Sequence, residues 1–389
     1  MIYLDNNATT QLAPEVAEAM ARCWASGPLN PSSQHAAGRA ARNQLDQALS
    51  QIGQLLGADV DSPAGDALIL TSGGTEANHL ALSGIGDPAG PLVISSIEHP
   101  SVMATARSQA AQGRPLRVIP VDSSGVVDLA AARALIVEQT PPPALVSVMA
   151  ANNETGVLQP LEPIAQWCHS VGAALHVDAV QMIGKLPFHF AELGVTAVTL
   201  AAHKFHGPVG VGALLVRAGV EVRPQILGGD QQLGRRGGTE PVALAVGMAT
   251  ALRLAMETQA ETASQTAAYR NAFEAGLKQR IEGLVVHGAG APRLPSTSCL
   301  SFPGVDRQAM LLALDVAGVA CSSGSACASG SSQPSPVLLA MGVPPAQIDS
   351  ALRFGFSRFS TAEEVQQSVE IISRHYNRLS KKRMVEKVE

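Results

Sequence analysis

Aromatic residues make up only 3% of this 389-residue chain and charged residues only 15%, and both scarcities narrow what it can do. Lys and Arg number 27 against 32 Asp and Glu, a net charge of -5. The basic excess with which a protein neutralises nucleic-acid phosphates is missing, so no direct nucleic-acid ligand is expected. No uninterrupted apolar run reaches the roughly 20 residues that span a bilayer. The start, Met1-Ile-Tyr-Leu-Asp5, lacks the basic region and apolar core of a leader, which makes a cytoplasmic, membrane-free protein the expectation. Cysteines are few and odd in number: Cys23, Cys168, Cys299, Cys321 and Cys327. A disulfide framework is therefore not expected. Only the last two lie close, and the Ser-Ser-Gly-Ser-Ala between them has no second ligand pair of zinc-like spacing, so no metal is expected. Cys23 and Cys168 stand beside Trp24 and Trp167 in helical patterns, where a thiol serves as a small buried hydrophobe.

What is present is apolar: 46% of the residues are hydrophobic, in a chain too long for one ordinary core and long enough for two domains. Short runs rich in leucine or β-branched residues recur at Ala67–Leu70, Leu92–Ile94, Leu116–Ile119, Leu145–Val148, Ala174–Val177, Ala197–Leu200 and Val211–Val216, and read as buried strands. Helical spacing fills most of the gaps, as at Val102–Ala111, Leu129–Gln139 and Leu161–Val171. Such alternation predicts an α/β fold with a mostly parallel sheet covered on both faces. Past a Gly-rich stretch from Leu227 to Thr239, a long helix from Val242 to Ala260 is a candidate bridge between domains, with a further amphipathic stretch to Gly283. Strands at Leu284–His287, Ser298–Phe302, Val319–Cys321 and Ala351–Phe354, with helices at Asp306–Ala317 and Thr361–Leu379, predict a smaller α+β domain.

In open sheets of this kind ligands bind at the carboxyl ends of the strands. Gly73-Gly-Thr75, His99, Asn152-Asn153, Asp178 and Lys204 all fall there. Lys204 follows the run to Leu200 and sits beside His203, which suits imine chemistry if its surroundings keep the amine unprotonated. A glycine turn entering a helix near Thr75 offers free amides, the positive dipole end and a hydroxyl to an anion such as phosphate. Asp178, flanked by apolar residues, needs a cationic partner to stay ionised cheaply; a protonated pyridine nitrogen would be one, and a plain helix N-cap before Ala179 is the competing explanation. His99 could lie flat on an aromatic ring and relay protons, or simply end a strand at a turn fixed by Pro100.

These residues belong to a longer series: Tyr3-Leu-Asp-Asn-Asn-Ala-Thr-Thr10, Asn30-Pro-Ser-Ser-Gln-His35, Gly73-Gly-Thr-Glu76, Glu98-His99, Asn152-Asn-Glu-Thr-Gly156, Asp178-Ala-Val-Gln181, His203-Lys204, Arg236-Gly-Gly-Thr239 and Ser322-Ser-Gly-Ser-Ala-Cys327. In that order they resemble the cysteine desulfurases of the NifS/IscS type, pyridoxal-phosphate enzymes of the class V aminotransferase fold, over nearly the whole chain. The resemblance implies a fold type I transferase with a large cofactor-binding domain over residues 15–258, and a small α+β domain from 1–14 and 259–389 that carries the cysteine loop. It implies that Lys204 forms the internal aldimine with pyridoxal 5'-phosphate and then shuttles protons. Gly74, Thr75 and His203 would hold the phosphate, with Thr239 reaching the cofactor of a neighbouring subunit in a homodimer. Asp178 would pair with the pyridine nitrogen, Gln181 would bond the ring hydroxyl, His99 would stack on the ring, and Asn153 and Arg353 would bind the substrate carboxylate. L-cysteine would give up its sulfur to Cys327 as a persulfide and leave as L-alanine, the sulfur then passing to an acceptor protein such as an iron–sulfur scaffold. Glycines and serines around Cys327 suit a mobile thiolate.

The pattern departs from the family at Ala201, where a serine hydroxyl usually helps to bind phosphate; at Val209, in place of a lysine; at Pro336, in place of a histidine; and at Gly355 and Ser357, where serine and glycine are common. Two alternatives stay open. One is a selenocysteine lyase or another class V pyridoxal-phosphate enzyme, although a plain aminotransferase needs no mobile thiol. The other is a sulfur-relay scaffold without catalysis of its own, against which the presence of Lys204, Asp178, His99, Arg353 and Cys327 together argues.

Overall fold

The structure is a computed structural model that describes residues 1–324 and 333–386. Its elements, in chain order, begin with β1 (Ile2–Tyr3), α1 (Pro14–Ala25), α2 (Ala36–Leu56), β2 (Ala67–Thr71), α3 (Gly74–Gly84), β3 (Leu92–Ser95), α4 (Pro100–Ala111), β4 (Leu116–Ile119), α5 (Leu129–Val137), β5 (Leu145–Ser147), α6 (Leu161–Val171), β6 (Ala174–Asp178), α7 (Phe190–Leu193), β7 (Ala197–Ala201) and β8 (Gly212–Val216). They continue with α8 (Val242–Glu257), α9 (Gln259–Lys278), β9 (Val285–Val286), β10 (Thr297–Ser301), α10 (Arg307–Val316), β11 (Val319–Ala320), α11 (Pro336–Ala340), α12 (Pro345–Ile348), β12 (Ala351–Gly355) and α13 (Ala362–Glu386).

Seven strands form the main sheet in the order β2-β8-β7-β6-β5-β3-β4. Only β8 runs against its neighbours; the pairings from β7 across to β4 are parallel. The period-two alternation of strand side chains divides the core: Val93 of β3 joins one apolar cluster with Val146, Val177 and Leu200, while Leu92 and Ile94 join another with Leu145 and Ala197. Both faces are covered, as the continuous apolar runs require. Edge strand β4 is the exception to the expected burial, since Val118 is exposed.

Helix boundaries follow local chemistry. Asp128 caps α5 by accepting from the amides of Ala130 and Ala131, and Thr361 and Glu364 form a reciprocal capping box at the start of α13. Pro100 opens α4, two residues earlier than the apolar spacing alone predicts, because proline fits the first helical position and His99 caps it. The long helix expected from Val242 to Ala260 breaks at Thr258, which ends α8 and precedes α9. Its hydroxyl donates back to the Leu254 carbonyl, an arrangement that competes with continued helix.

A second, antiparallel sheet has the order β12-β10-β9. Phe273, Phe302, Phe354 and Phe356 pack there in tilted and edge-on ring contacts, so many of the scarce aromatics serve this core. The amino-terminal strand β1 pairs in parallel with β11, and Asp5 bridges to Gly355 at the end of β12. Residues 5–10 are thereby carried across the carboxyl end of the main sheet.

Candidate active site

A pocket of about 810 Å³ opens at those strand ends and is lined by Gly74, Thr75, His99, Asn153, Asp178, Gln181, His203, Lys204 and Arg353, a volume typical of a cofactor site. Lys204 ends a short 3-10 turn that follows β7, and its Nζ donates to the carbonyls of Asn7 and Ala8, both at 2.7 Å. Thr10 locks the turn from the other side, donating through its amide and hydroxyl to the His203 carbonyl. Burial, then Arg353, draws the Lys204 ammonium down to about 8 against the opposing pull of Asp178 and Asp5. A far larger share of the amine is therefore neutral near physiological pH than on an ordinary lysine.

Asp178 makes the capping contact considered for it and a second contact to a neutral amide. Its Oδ1 accepts from the Val180 amide at 3.1 Å, capping the turn after β6, while Oδ2 accepts from Asn78 Nδ2 at 2.7 Å. Asn78 also donates to Ser101 Oγ, which lies 2.7 Å from His99 Nδ1. Since His99 Nδ1 accepts from the Ser101 amide as well, the network assigns the ring proton of neutral His99 to Nε2. Burial favours that neutral form, with Asp178 opposing and Lys204 and Arg353 assisting. The neighbouring Glu98 is fully enclosed; its Oε1 accepts from Ser95 Oγ and the Met149 amide, and burial pushes its carboxyl up to about 8.

Gln181 Nε2 donates to the Asn7 carbonyl at 2.9 Å. Arg353, from β12, is fixed by Asp5 Oδ1 at 2.9 Å and by the Asn153 carbonyl at 3.0 Å, and its Nε is buried with no partner among the described residues. Those contacts define the guanidinium orientation that the unusual Gly355 and Ser357 left open. Gly355 itself is required by close packing: a Cβ there would collide with Asn7 Oδ1 and lie 2.9 Å from the Asn7 amide. His203 Nδ1 lies 3.1 Å from Thr9 Oγ1, and burial with nearby Lys204 and Lys185 draws the imidazole down to about 4.

The residues present fit pyridoxal phosphate on three counts. No side chain among the described residues caps α3, so its first amides are available to an anion at Gly74 and Thr75. Gly74 leaves room that a side chain would take, since a Cβ there would come within 3.0 Å of Val180 Cγ2. Asn78, only 1% exposed, lines the pocket with an Oδ1 that has no partner among the described residues. Ala201, where a hydroxyl was missed, is buried at the end of β7 and adds only a methyl to the lining.

Two expected site residues are not in this group. Thr239 is exposed and does not line the pocket; its loop is tied to α3 by a two-pronged contact from Arg236 to Glu76 at 2.8 and 3.2 Å. Cys327 lies outside the described residues, but Gly324 and Gln333, on either side of that segment, both line the pocket. The other cysteines are poor thiolates, since burial pushes Cys168, Cys299 and Cys321 up to about 12. Sequence reasoning overlooked Asp5, Asn7 and Asn78 as site residues although all three stand inside quoted motifs or beside them. It also missed Glu98, Glu154 and Lys185. Glu154, almost fully buried, accepts from Ser335 Oγ at 2.6 Å beside Gly324.

The chain belongs to the class-V aminotransferases, a family of pyridoxal-phosphate enzymes, whose model matches residues 2–367. Within that family it is 41% identical over 375 residues to a cysteine desulfurase of Cereibacter sphaeroides, covering 95% of this chain and 94% of that protein. It is 40% identical over 364 residues to a cysteine desulfurase of Klebsiella pneumoniae, covering 94% and 90%. Among solved structures, a NifS-like protein of Rickettsia africae superposes with a TM-score of 0.87 at 31% identity, over 97% of this chain and 99% of that one. No helix among the described residues is long and apolar enough to cross a membrane.

Proposed function

We infer that this protein is a cysteine desulfurase, and the observation that carries the inference is Lys204, its ammonium drawn down to about 8 in a pocket it shares with the Asp178 carboxylate and the His99 ring. The amides at the start of α3, with Thr75 and His203, would hold the cofactor phosphate, and Asp178, Gln181 and His99 would hold its ring nitrogen, ring hydroxyl and ring face. Bound pyridoxal phosphate supplies a carbonyl carbon for the substrate amine and an electron sink beyond it. Lys204 Nζ is the base that moves protons at the substrate carbons. Arg353, steadied by Asp5, recognises the substrate carboxylate together with Asn153.

The Cys327 thiolate attacks the substrate sulfur. The carbon–sulfur bond breaks with its electron pair left on carbon, which takes a proton, so that alanine leaves and Cys327 keeps the sulfur as a persulfide. Two observations support this role: both flanks of the Cys327 segment line the pocket, and burial suppresses the thiolates of the other cysteines nearest it, Cys299 and Cys321. A homodimer in which Thr239 reaches the neighbouring site, a cytoplasmic setting and a protein sulfur acceptor complete the proposal.

The test is release of alanine and sulfide from L-cysteine with a reductant present, using protein reconstituted with pyridoxal phosphate. Equal yields of the two products are expected, and Cys327→Ser should keep the cofactor absorbance while losing persulfide formation. Cofactor binding with turnover of selenocysteine but not of cysteine would overturn the assignment in favour of a selenium-specific lyase.

A further inference from the structure

Gln181 has an amide whose two ends are held by partners of opposite kind. Its Oε1 accepts from Lys185 Nζ at 2.7 Å, and its Nε2 donates to the Asn7 carbonyl at 2.9 Å. An ammonium can only donate and a carbonyl can only accept, so the orientation of this amide is unambiguous. The Asn7 carbonyl also accepts from Lys204 Nζ. One backbone oxygen thus joins the lysine of the pocket to a second lysine, through Gln181.

Lys185 reaches this position because of the turn that precedes it. Gly184 sits at φ +80, in the left-handed region, and a Cβ there would lie 2.8 Å from Phe205 Cβ. The tight turn brings the lysine back under Gln181, four residues earlier in the chain. Lys185 lines a small cavity with Lys204, His206 and Arg358, and is not among the residues that line the large pocket, to which Gln181 and Lys204 both belong.

We propose that Lys185 is a positioning residue: it locks the Gln181 amide with oxygen turned away and nitrogen turned toward the pocket, so that Gln181 is a permanent donor to the cofactor's ring oxygen. The proposal rests on the assignment of the pocket to pyridoxal phosphate and adds to it a residue outside the pocket. Without Lys185 only the Asn7 carbonyl, which also accepts from Lys204, opposes the flipped amide, and that form would present an acceptor to an electron-rich oxygen. The charged groups around the pair are the cations Lys204 and Arg353, with Arg358 lining the same small cavity; His203 and His206, drawn down to about 4, are neutral there, and Asp5 and Asp178 act on Lys204. Burial, then Lys204 and Arg353, draws Lys185 itself down to about 7, so the ammonium, which can only donate, holds Gln181 Oε1 most firmly at and below neutral pH.

The experiment is a pH titration of the visible absorbance of the reconstituted protein. A donor and a cation near the ring both disfavour an extra proton on the chromophore, so Lys185→Met is expected to raise the midpoint by about one pH unit. Lys185→Arg, which keeps the donor and a charge that does not titrate, should show a midpoint at or below that of the parent. A residue of merely structural importance would lower the melting temperature and leave the midpoint where it was. If Lys185→Met does not fold, Lys185→Gln, too short to reach Oε1 but polar enough for the cavity, is read in the same way. A folded variant with the parental midpoint overturns the proposal. Parental protein that forms no chromophore with pyridoxal phosphate would instead take down the function on which it rests.

Discussion

At the scale of single residues the site is a set of groups whose charge states differ from those they carry in water. Glu98 is one such carboxylate, with Oε2 buried and without a partner among the described residues and its carboxyl pushed up to about 8 by burial, then by Asp178. At neutral pH it is a protonated acid that accepts from the Met149 amide at 2.8 Å. Its folded pKa lies above the unfolded value of about 4.3, so the folded state holds the proton longer. Relative stability is full below about pH 4.3 and is eroded as pH rises toward 8. Glu98→Gln keeps the shape and the accepting oxygen but cannot ionise. Unfolding in denaturant at pH 5 and pH 8 should show the variant gaining on the parent by about 2–4 kcal/mol between the two. A constant difference would mean that Glu98 is ionised in the fold. Nothing in Ile97-Glu-His-Pro100 announces this, because a carboxylate beside a histidine reads equally well as a solvated strand end; the contacts come from Ser95, at the end of β3, and from Met149, just past the neighbouring β5.

Elements were legible where one periodicity dominated. The strands of the main sheet and α5 and α6 stand close to the apolar runs that predict them, since buried parallel strands must be apolar on both faces. What the sequence could not show was how elements close on one another through backbone atoms. Asn7 and Ala8 hold Lys204 with carbonyl oxygens, and every residue type has one. The single side-chain clue is Gly355, which lets β12 approach the Asn7 backbone. Gly355→Ala would drive a methyl into Asn7 Oδ1 and to 2.9 Å from the Asn7 amide nitrogen, moving the amino-terminal segment away from β12. Overpacking of this kind costs about 1–3 kcal/mol. The same shift displaces the carbonyl shared by Lys204 and Gln181, so a lower melting temperature should come with weaker retention of pyridoxal phosphate on dialysis. Destabilisation with unchanged cofactor retention would show that the segment adjusts without disturbing the site.

Taken whole, the molecule makes its pocket from parts that lie far apart in the chain: the amino-terminal ten residues, five strand ends of the main sheet, and β12 near the other end. Asp5 and Arg353, 348 residues apart, form the ion pair that ties the first part to the last. Its effect extends to Lys204, because Asp5 pulls that ammonium's pKa up while Arg353 pulls it down. Asp5→Asn keeps an oxygen that can accept from Arg353 and removes the negative charge. Both consequences have the same sign for Lys204: one stabilising anion is lost, and the cation opposite is less neutralised. The neutral amine should therefore be reached at lower pH than in the parent, where the midpoint is about 8. In apo protein mixed with pyridoxal phosphate, the pH profile of the initial capture rate should shift to the acid side. An unmoved profile would show that the pair serves only to hold the chain ends together; a shift to the alkaline side would mean that the introduced amide no longer holds Arg353, which has swung away from Lys204.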